Sequence, residues 1–426
     1  MRGDRLSIGL TPALAIFAAV LFVTGVSAAA DKVLFNFSHK GNSGNFPEDG
    51  LVFDAAGNLY GTTQGGTYND GTVFELMPQA DGSWTEKLLH EFNTKVNDGA
   101  TPNPDLIFDA AGNLYGTTQQ GNSGSQGTVF ELMPQADGSW TEKILHSFTV
   151  NPGKDGYYLL AGLTFDAAGN LYGTADFGGL YSGNGPGTVF ELMPQADESW
   201  TLKVLHEFGR GQDGVGPASR LVFDGAGNLY GTTNIGGNNG YGTVFELLPK
   251  ADGGWTHKVL HSFTSPTGNG GSVPLAGLIF DAAGNLYGTT VEGGNSSCVF
   301  GDDSPCGTVF ELTAKSSGGW STTKILHKFK GGKDGSEPRA SLIFDAAGNL
   351  YGTTSLGGAY ACGTVFELTP TAAGGWKEKV LHQFKRADKD GCGPLGSLIF
   401  DAFGNLYGTT GAGGTHNFGT VFEITP

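Results

Sequence analysis

Helical periodicity is absent from most of this 426-residue chain. Beyond residue 26 no stretch repeats its apolar positions every three to four residues, which argues against a helical architecture. Charge is scarce and one-sided. Charged residues make up 15%, and 41 Asp+Glu against 24 Lys+Arg give a net charge of −17. An acidic surface argues against nucleic acid and anionic membranes as partners. After Val26 there is no second apolar run of spanning length, so no membrane span is expected in the mature chain. The four cysteines include no CxxC pair and no nearby histidine pair, which disfavours a metal site. GxSxG, HExxH and a phosphate-cradling loop in context are missing too, and with them the common hydrolase, metalloprotease and nucleotide-binding signatures. No cofactor is expected.

What the chain has in quantity is glycine, 73 residues, and one repeated stretch. Asp281 to Thr290 reads DAAGNLYGTT, and with small edits it occurs seven times, starting at Asp54, Asp109, Asp166, Asp224, Asp281, Asp345 and Asp401. The apolar run before each Asp, such as Leu278-Ile279-Phe280, reads as a short strand, and Leu286 to Thr290 as the next. Asp-Ala-Ala-Gly-Asn between them has the chemistry of a tight hairpin, with Asp bonding its own backbone and Gly284 free to turn left-handed. A glycine inside the second strand, Gly288 and its equivalents, implies close approach of another backbone, as near a crowded axis.

Two further elements recur. GTVFE begins at Gly71, Gly127, Gly187, Gly242, Gly307, Gly363 and Gly419. A segment such as Trp84 to Phe92 recurs with copies ending at Phe148, Phe208, Phe263, Phe329 and Phe384. One unit therefore holds four strands: A (LIFD), B (LYGTT), C (GTVFEL) and D (Trp to Phe). Successive units start 55 to 64 residues apart, a period that points to an all-β fold, a β-propeller of four-stranded blades. The last copy stops after strand C at Pro426, while an orphan D-type strand, Lys32 to Phe37, stands at the front. That offset predicts a seven-bladed ring closed by the N-terminal strand pairing into the last blade, which hides the edges an open array would expose.

Residues 1–30 stand apart. Arg2 and Arg5 precede an apolar core from Ala13 to Val26, and Ser27 to Ala30 are small. This reads as a secretory signal peptide, leaving 31–426 as one propeller domain. The signal segment holds two arginines and one aspartate, so the mature chain sits near −18.

The A–B turns and C–D connections share one face of the ring. The B–C loops and D–A connections share the other, the top, which carries most of the irregularity and is where function is expected. All four cysteines fall there. Export and an even count favour disulfides, with Cys298 paired to Cys306 and Cys362 paired to Cys392.

At these residues the chain resembles the GloVer (Gloeobacter/Verrucomicrobia-type) tandem-repeat proteins, a bacterial extracellular family with DxxGNLYGTT…GTVFEL units. The match covers nearly all of Asp31 to Pro426. It implies an extracellular location and no particular activity. Many members carry a C-terminal sorting anchor, and none is expected after Pro426. The DxxGNLY hairpin more weakly resembles NHL-type and gluconolactonase-like propellers, some of which are enzymes.

The histidines of strand D (His90, His146, His206, His261, His327, His382), the Asp of each hairpin and the Glu of each GTVFE recur from blade to blade and read as structural. A catalytic site needs one asymmetric cluster. Asymmetry singles out repeat 3, where Leu159 replaces the connection proline and Tyr157, Tyr158, Asp176, Phe177 and Tyr181 gather near one rim. Repeat 5 adds Glu292, and Asp302 and Asp303, which read as solvated acids rather than calcium ligands. The expected function is a secreted binding or scaffolding propeller, a monomer, with a carbohydrate or protein ligand on its loop-rich face. The alternative is a propeller hydrolase or lyase acting on extracellular carbohydrate, which two or more non-repeated acids or histidines converging near the top of the channel would favour, whereas dispersed aromatics would favour binding.

Overall fold

The computed structural model describes residues 30–426 apart from 39–42, 97, 103–104, 122–124, 150–153, 180–184, 210–211, 266–269, 295–305, 317–318 and 388. Each DAAGN stretch is the predicted hairpin. In blade 4, the Ala226 and Asn228 backbone N–H groups donate to Asp224 Oδ1, both at 2.9 Å, and Gly227 turns at φ 84°. The hairpin joins strand A (Val222–Phe223) to strand B (Leu229–Thr233), which pairs with C (Thr243–Pro249), which pairs with D (Trp255–Ser262). All pairings within the blade are antiparallel. A register shift between Val244 and Phe245 interrupts the C–D ladder, and the same bulge recurs in the other complete blades.

Seven such sheets form the ring of a seven-bladed β-propeller. In the last, Ala30–Asn36 pairs with Thr420–Thr425, from Ala30↔Thr425 to Asn36↔Thr420, with the same kind of register shift between Val33 and Phe35. The closure continues past the strand: Phe37 donates its N–H to Gly419 O at 3.1 Å, and its ring is fully buried against Phe74 of blade 1. The closing strand thus begins at Ala30, one residue before the expected boundary. The rest of the expected signal segment lies outside the described residues. Among the described residues the only helical turn is Gly332–Asp334, and no helix is long and apolar enough to cross a membrane.

Apolar packing lies between blades. Each interface buries Phe, Leu, Val and Tyr from two neighbouring sheets, as in the cluster of Tyr230, Val244, Phe263, Leu278, Leu286 and Phe310. The strand-B glycines have a different cause from the expected one. A Cβ on Gly288 would lie 2.7 Å from Phe310 Cζ and 2.9 Å from Leu278 Cδ2. Side chains of the same blade, and not another backbone, fill the space.

The D–A connection of each blade forms a short ladder with the B–C loop on the top face, as at Val215↔Ile235, Ser272↔Glu292 and Ser336↔Leu356. One residue after each first partner the chain turns left-handed. Phe46, Thr101, Tyr158, Gly216, Val273, Glu337 and Gly393 have φ between 54° and 69°. Five of these seven carry side chains that disfavour this region, and the ladder holds them there. Cys362, at the end of the sixth B–C loop, is bonded to Cys392 in the next connection with Cα atoms 4.5 Å apart. The predicted 362–392 bridge therefore ties blade 6 to blade 7. For the other pairing, Cys298 lies outside the described residues.

Candidate functional site

Strand A lines the axis. Its first lining residue is β-branched in every blade (Val52, Ile107, Thr164, Val222, Ile279, Ile343, Ile399), and together with their neighbours these residues surround a central cavity of about 860 Å³. The residue two positions earlier caps the top of this channel in each blade: Gly50, Asp105, Gly162, Arg220, Gly277, Ser341 and Ser397. Five are small and two carry opposite charges.

Both charged side chains lean over the glycine of the preceding blade. Asp105 Oδ1 accepts the Gly50 N–H at 3.0 Å. Arg220 donates from Nε to Thr164 Oγ1 at 3.4 Å. The point where a side chain on Gly162 would begin lies 3.1 Å from Asp105 O, 3.6 Å from Arg220 Cδ and 3.7 Å from Asp105 Cβ. Gly162 therefore lies between the acid and the base, where a side chain would crowd both.

Two more acids stand on the Asp105 side. Asp49 is buried, receives the Thr62 hydroxyl at 2.5 Å and uses its own carbonyl to hold Thr409 Oγ1 at 2.6 Å. Burial pushes the Asp49 carboxyl well above the usual carboxylate range, and the charges of Asp105 and Glu48 push the same way. Burial also raises Glu48. Of these three acids Asp105 lines the cavity, and the buried Asp49 lies close enough to feel its charge.

The structure brings most of the repeat-3 residues together. Tyr157 and Phe177 exchange backbone hydrogen bonds at 2.9 and 3.2 Å, and the Phe177 ring lies 5.7 Å from both Tyr157 and Tyr158. Tyr157 is buried in the interface core, with Tyr158 and Phe177 packed partly exposed against it. Asp176 is buried and 3.4 Å from the Asn234 amide, and burial raises its carboxyl to about 6. Glu292 occupies in blade 5 the ladder position that Phe177 holds in blade 3, and accepts the Ser272 hydroxyl at 3.1 Å. It therefore stands apart from the aromatic group. Tyr181, Asp302 and Asp303 lie outside the described residues.

The recurring histidines have recurring partners. His90, His146, His206 and His382 bond through Nε2 to Asp98, Asp155, Asp213 and Asp390 at 2.9 to 3.3 Å. His327 lies 3.3 Å from Asp334. Each Asp comes from the D–A connection, so the pair clamps that connection to strand D. His261 has no such acid, and burial lowers it to about 4. Four of these clamps gain a third group from the fourth strand of the next blade: Glu142 beside His90, His257 beside His206, Glu378 beside His327 and Asp31 beside His382, the first three trios each within 4.8 Å. In the middle trio the imidazoles stack face to face at 4.2 Å, with ring planes 4° apart. They share Asp213 between them and do not converge on one point.

Aligned seven times over, the sequence held the signal for the channel mouth. The residues preceding each Leu-x-Phe-Asp read Gly, Asp, Gly, Arg, Gly, Ser, Ser. That column breaks the repeat too, by one residue per blade.

No curated protein matches the chain. Among solved structures it overlaps a luciferin-regenerating enzyme over 93% of this chain and 95% of that one, at 14% identity and a TM-score of 0.40. It also overlaps a protein of unknown function from Dyadobacter fermentans over 94% of this chain and 100% of that one, at 11% identity and a TM-score of 0.40. Overlaps this loose carry no chemistry across. The family match is of another kind: the Gloeobacter/Verrucomicrobia repeat matches at residues 18–196, 137–301 and 298–426, nearly the full length, and the chain belongs to that family.

Proposed function

We propose that the chain is an exported binding propeller that docks a carbohydrate or protein ligand on its top face. One observation carries this reading. Among the described residues seven large hydrophobic side chains are exposed, and six of them (Phe46, Tyr68, Val96, Ile235, Leu356, Tyr360) stand on top-face loops, with Phe403 alone on the bottom. Apolar groups gathered on one face mark a contact surface more often than a neutral one. The partly buried Tyr158 and Phe177 rings beside Asp176 extend this surface on blade 3, where sugar faces could stack and hydroxyls could donate to the carboxylate. The Cys362–Cys392 bridge is compatible with an oxidising compartment, as is export through residues 1–30.

Glycan-array and pull-down binding by the mature chain test the proposal. Tyr158→Ala with Phe177→Ala is expected to abolish ligand retention while the melting curve stays close to wild type. A double mutant that melts early, or binds as before, makes this group packing and places the contact elsewhere on the face.

A second reading, a hydrolase or lyase acting on carbohydrate, draws on the acids at the channel mouth. Burial, with the charges of Asp105 and Glu48, pushes the Asp49 carboxyl well above the usual carboxylate range, the direction a general acid needs. Turnover of an extracellular polysaccharide that disappears in Asp49→Asn would favour it over the binding reading.

A further inference from the structure

The channel mouth has a polarity that the rest of the ring lacks. Among the described residues Arg220 makes one hydrogen bond, from Nε to Thr164, and no ion pair, so both terminal guanidinium nitrogens are left without a protein partner. This is unusual in a chain with 41 acidic side chains against 24 basic ones. An arginine fork is shaped for a carboxylate, and here it overlooks a cavity instead of meeting one of those acids.

Across Gly162 the charge reverses. Asp105 spends one oxygen on the Gly50 N–H and its second has no partner among the described residues. Its charge presses on the buried Asp49 behind it, as the upward pressure on Asp49 records. A cation placed there would relieve that repulsion. Below both groups the channel wall is Val, Ile, Leu and Phe, with Thr164 as the one hydroxyl in its β-branched ring.

The geometry points to a binding site for a free apolar α-amino acid at the channel mouth, its carboxylate on Arg220, its ammonium on Asp105 and its side chain down the channel. The cavity, about 860 Å³, lies within the roughly 300–1,000 Å³ range of small-molecule sites. A sugar fits this lining poorly, since its hydroxyls would face Val and Ile side chains. A fatty acid would leave Asp105 unanswered, and an amine would leave Arg220 so. Only a zwitterion with an apolar body answers all three features. The site is separate from the aromatic rim of blade 3, so either proposal can fail without the other.

Calorimetric titration of the mature chain tests the assignment, with L-leucine as probe and N-acetyl-leucine, leucinamide and glycine as controls. Leucine is expected to bind, with each control at least tenfold weaker. Arg220→Gln should weaken leucine at least tenfold yet leave leucinamide unchanged. Asp105→Asn should weaken leucine and leave N-acetyl-leucine unchanged. Circular dichroism and melting curves confirm that both variants fold. If Asp105→Asn disturbs Gly50 and melts early, Arg220→Gln and the two blocked ligands still decide the question. No heat from leucine at millimolar concentration overturns the proposal, as does equal binding of leucine and its blocked forms, or an Arg220→Gln variant that binds as wild type.

Discussion

The two ends of strand A teach different lessons. At the bottom end the same residues make the same bonds in all seven blades. Asp54, Asp109, Asp166, Asp224, Asp281, Asp345 and Asp401 each accept from the following Asn backbone and side chain and from a Tyr hydroxyl. In blade 4 the Tyr230 hydroxyl sits between Asp224 and Glu246, at 3.0 and 2.7 Å, and donates to one of them at a time. Those acidic neighbours and burial push the Tyr230 phenol far up, so it stays a donor at every physiological pH. At the top end, about 13 Å of chain away by sequence count, the equivalent positions read Gly, Asp, Gly, Arg, Gly, Ser and Ser. A bond made seven times holds seven blades together. A charge present once, beside a cavity, is available for something outside the protein.

The largest expected effect comes from breaking the repeat where it closes. Deleting Asp31 to Phe37 removes the fourth strand of the last blade and a fully buried ring. It leaves Thr420–Thr425 as a bare edge. The variant should aggregate or lose its cooperative melting transition on a calorimeter. A monomeric variant with an unchanged melting temperature would show that closure lies elsewhere.

Most of the bottom end was legible in the sequence, because hairpin chemistry is local: Asp, Gly and Asn within five residues specify the turn wherever they occur. The ring and its closure followed from the offset between Pro426 and the strand at Lys32 to Phe37. The 362–392 bridge followed from loop placement. The strand-B glycine was misread because sequence shows that a side chain is missing without showing which atoms take its place. Here they belong to Phe310 and Leu278. The partners of the strand-D histidines were hidden for a similar reason. Asp98 and its equivalents were visible beside a glycine and a proline, but their reach back to the preceding strand is a property of the folded connection. The aromatic group of blade 3 was legible as a departure from the repeat, and the mouth charges were equally so, though one residue per blade gives a fainter signal than a run of rings.

A smaller effect is expected from the one crosslink described. Cys362 and Cys392 are 30 residues apart, and closing a loop of that size stabilises by about 2–4 kcal/mol. Replacing both with serine should lower the midpoint of chemical denaturation by a corresponding amount. It should leave leucine binding unchanged, because the crosslink joins blades 6 and 7 while Asp105 and Arg220 belong to blades 2 and 4. Lost leucine binding in a folded double-serine variant would place the site nearer the closure than the mouth geometry does.

The smallest change tests the division between the two ends most directly: the same substitution, Asp to Asn, at one repeated and one non-repeated position. Asp224 is held below the usual carboxylate range, with burial opposing and its hydrogen bonds from Asn228, Ala226 and Tyr230 prevailing. Its stabilisation is present above the unfolded pKa and is lost as pH falls. Asp224→Asn forfeits acceptors for Asn228 and Tyr230 and should cost on the order of 2–3 kcal/mol at pH 8. Asp176 is the opposite case. Burial raises it to about 6, so the fold favours its protonated form. Its contribution is intact below about pH 4 and lost as pH rises through 6. At pH 8 the buried charge costs about 3 kcal/mol, which Asp176→Asn removes while keeping an oxygen for Asn234. Melting curves at pH 8 should therefore move in opposite directions, down for Asp224→Asn and up for Asp176→Asn, with the gain at Asp176 vanishing at pH 4. If both variants lose stability at pH 8 by similar amounts, Asp176 serves the framework as Asp224 does, and the division between repeated structure and non-repeated function fails.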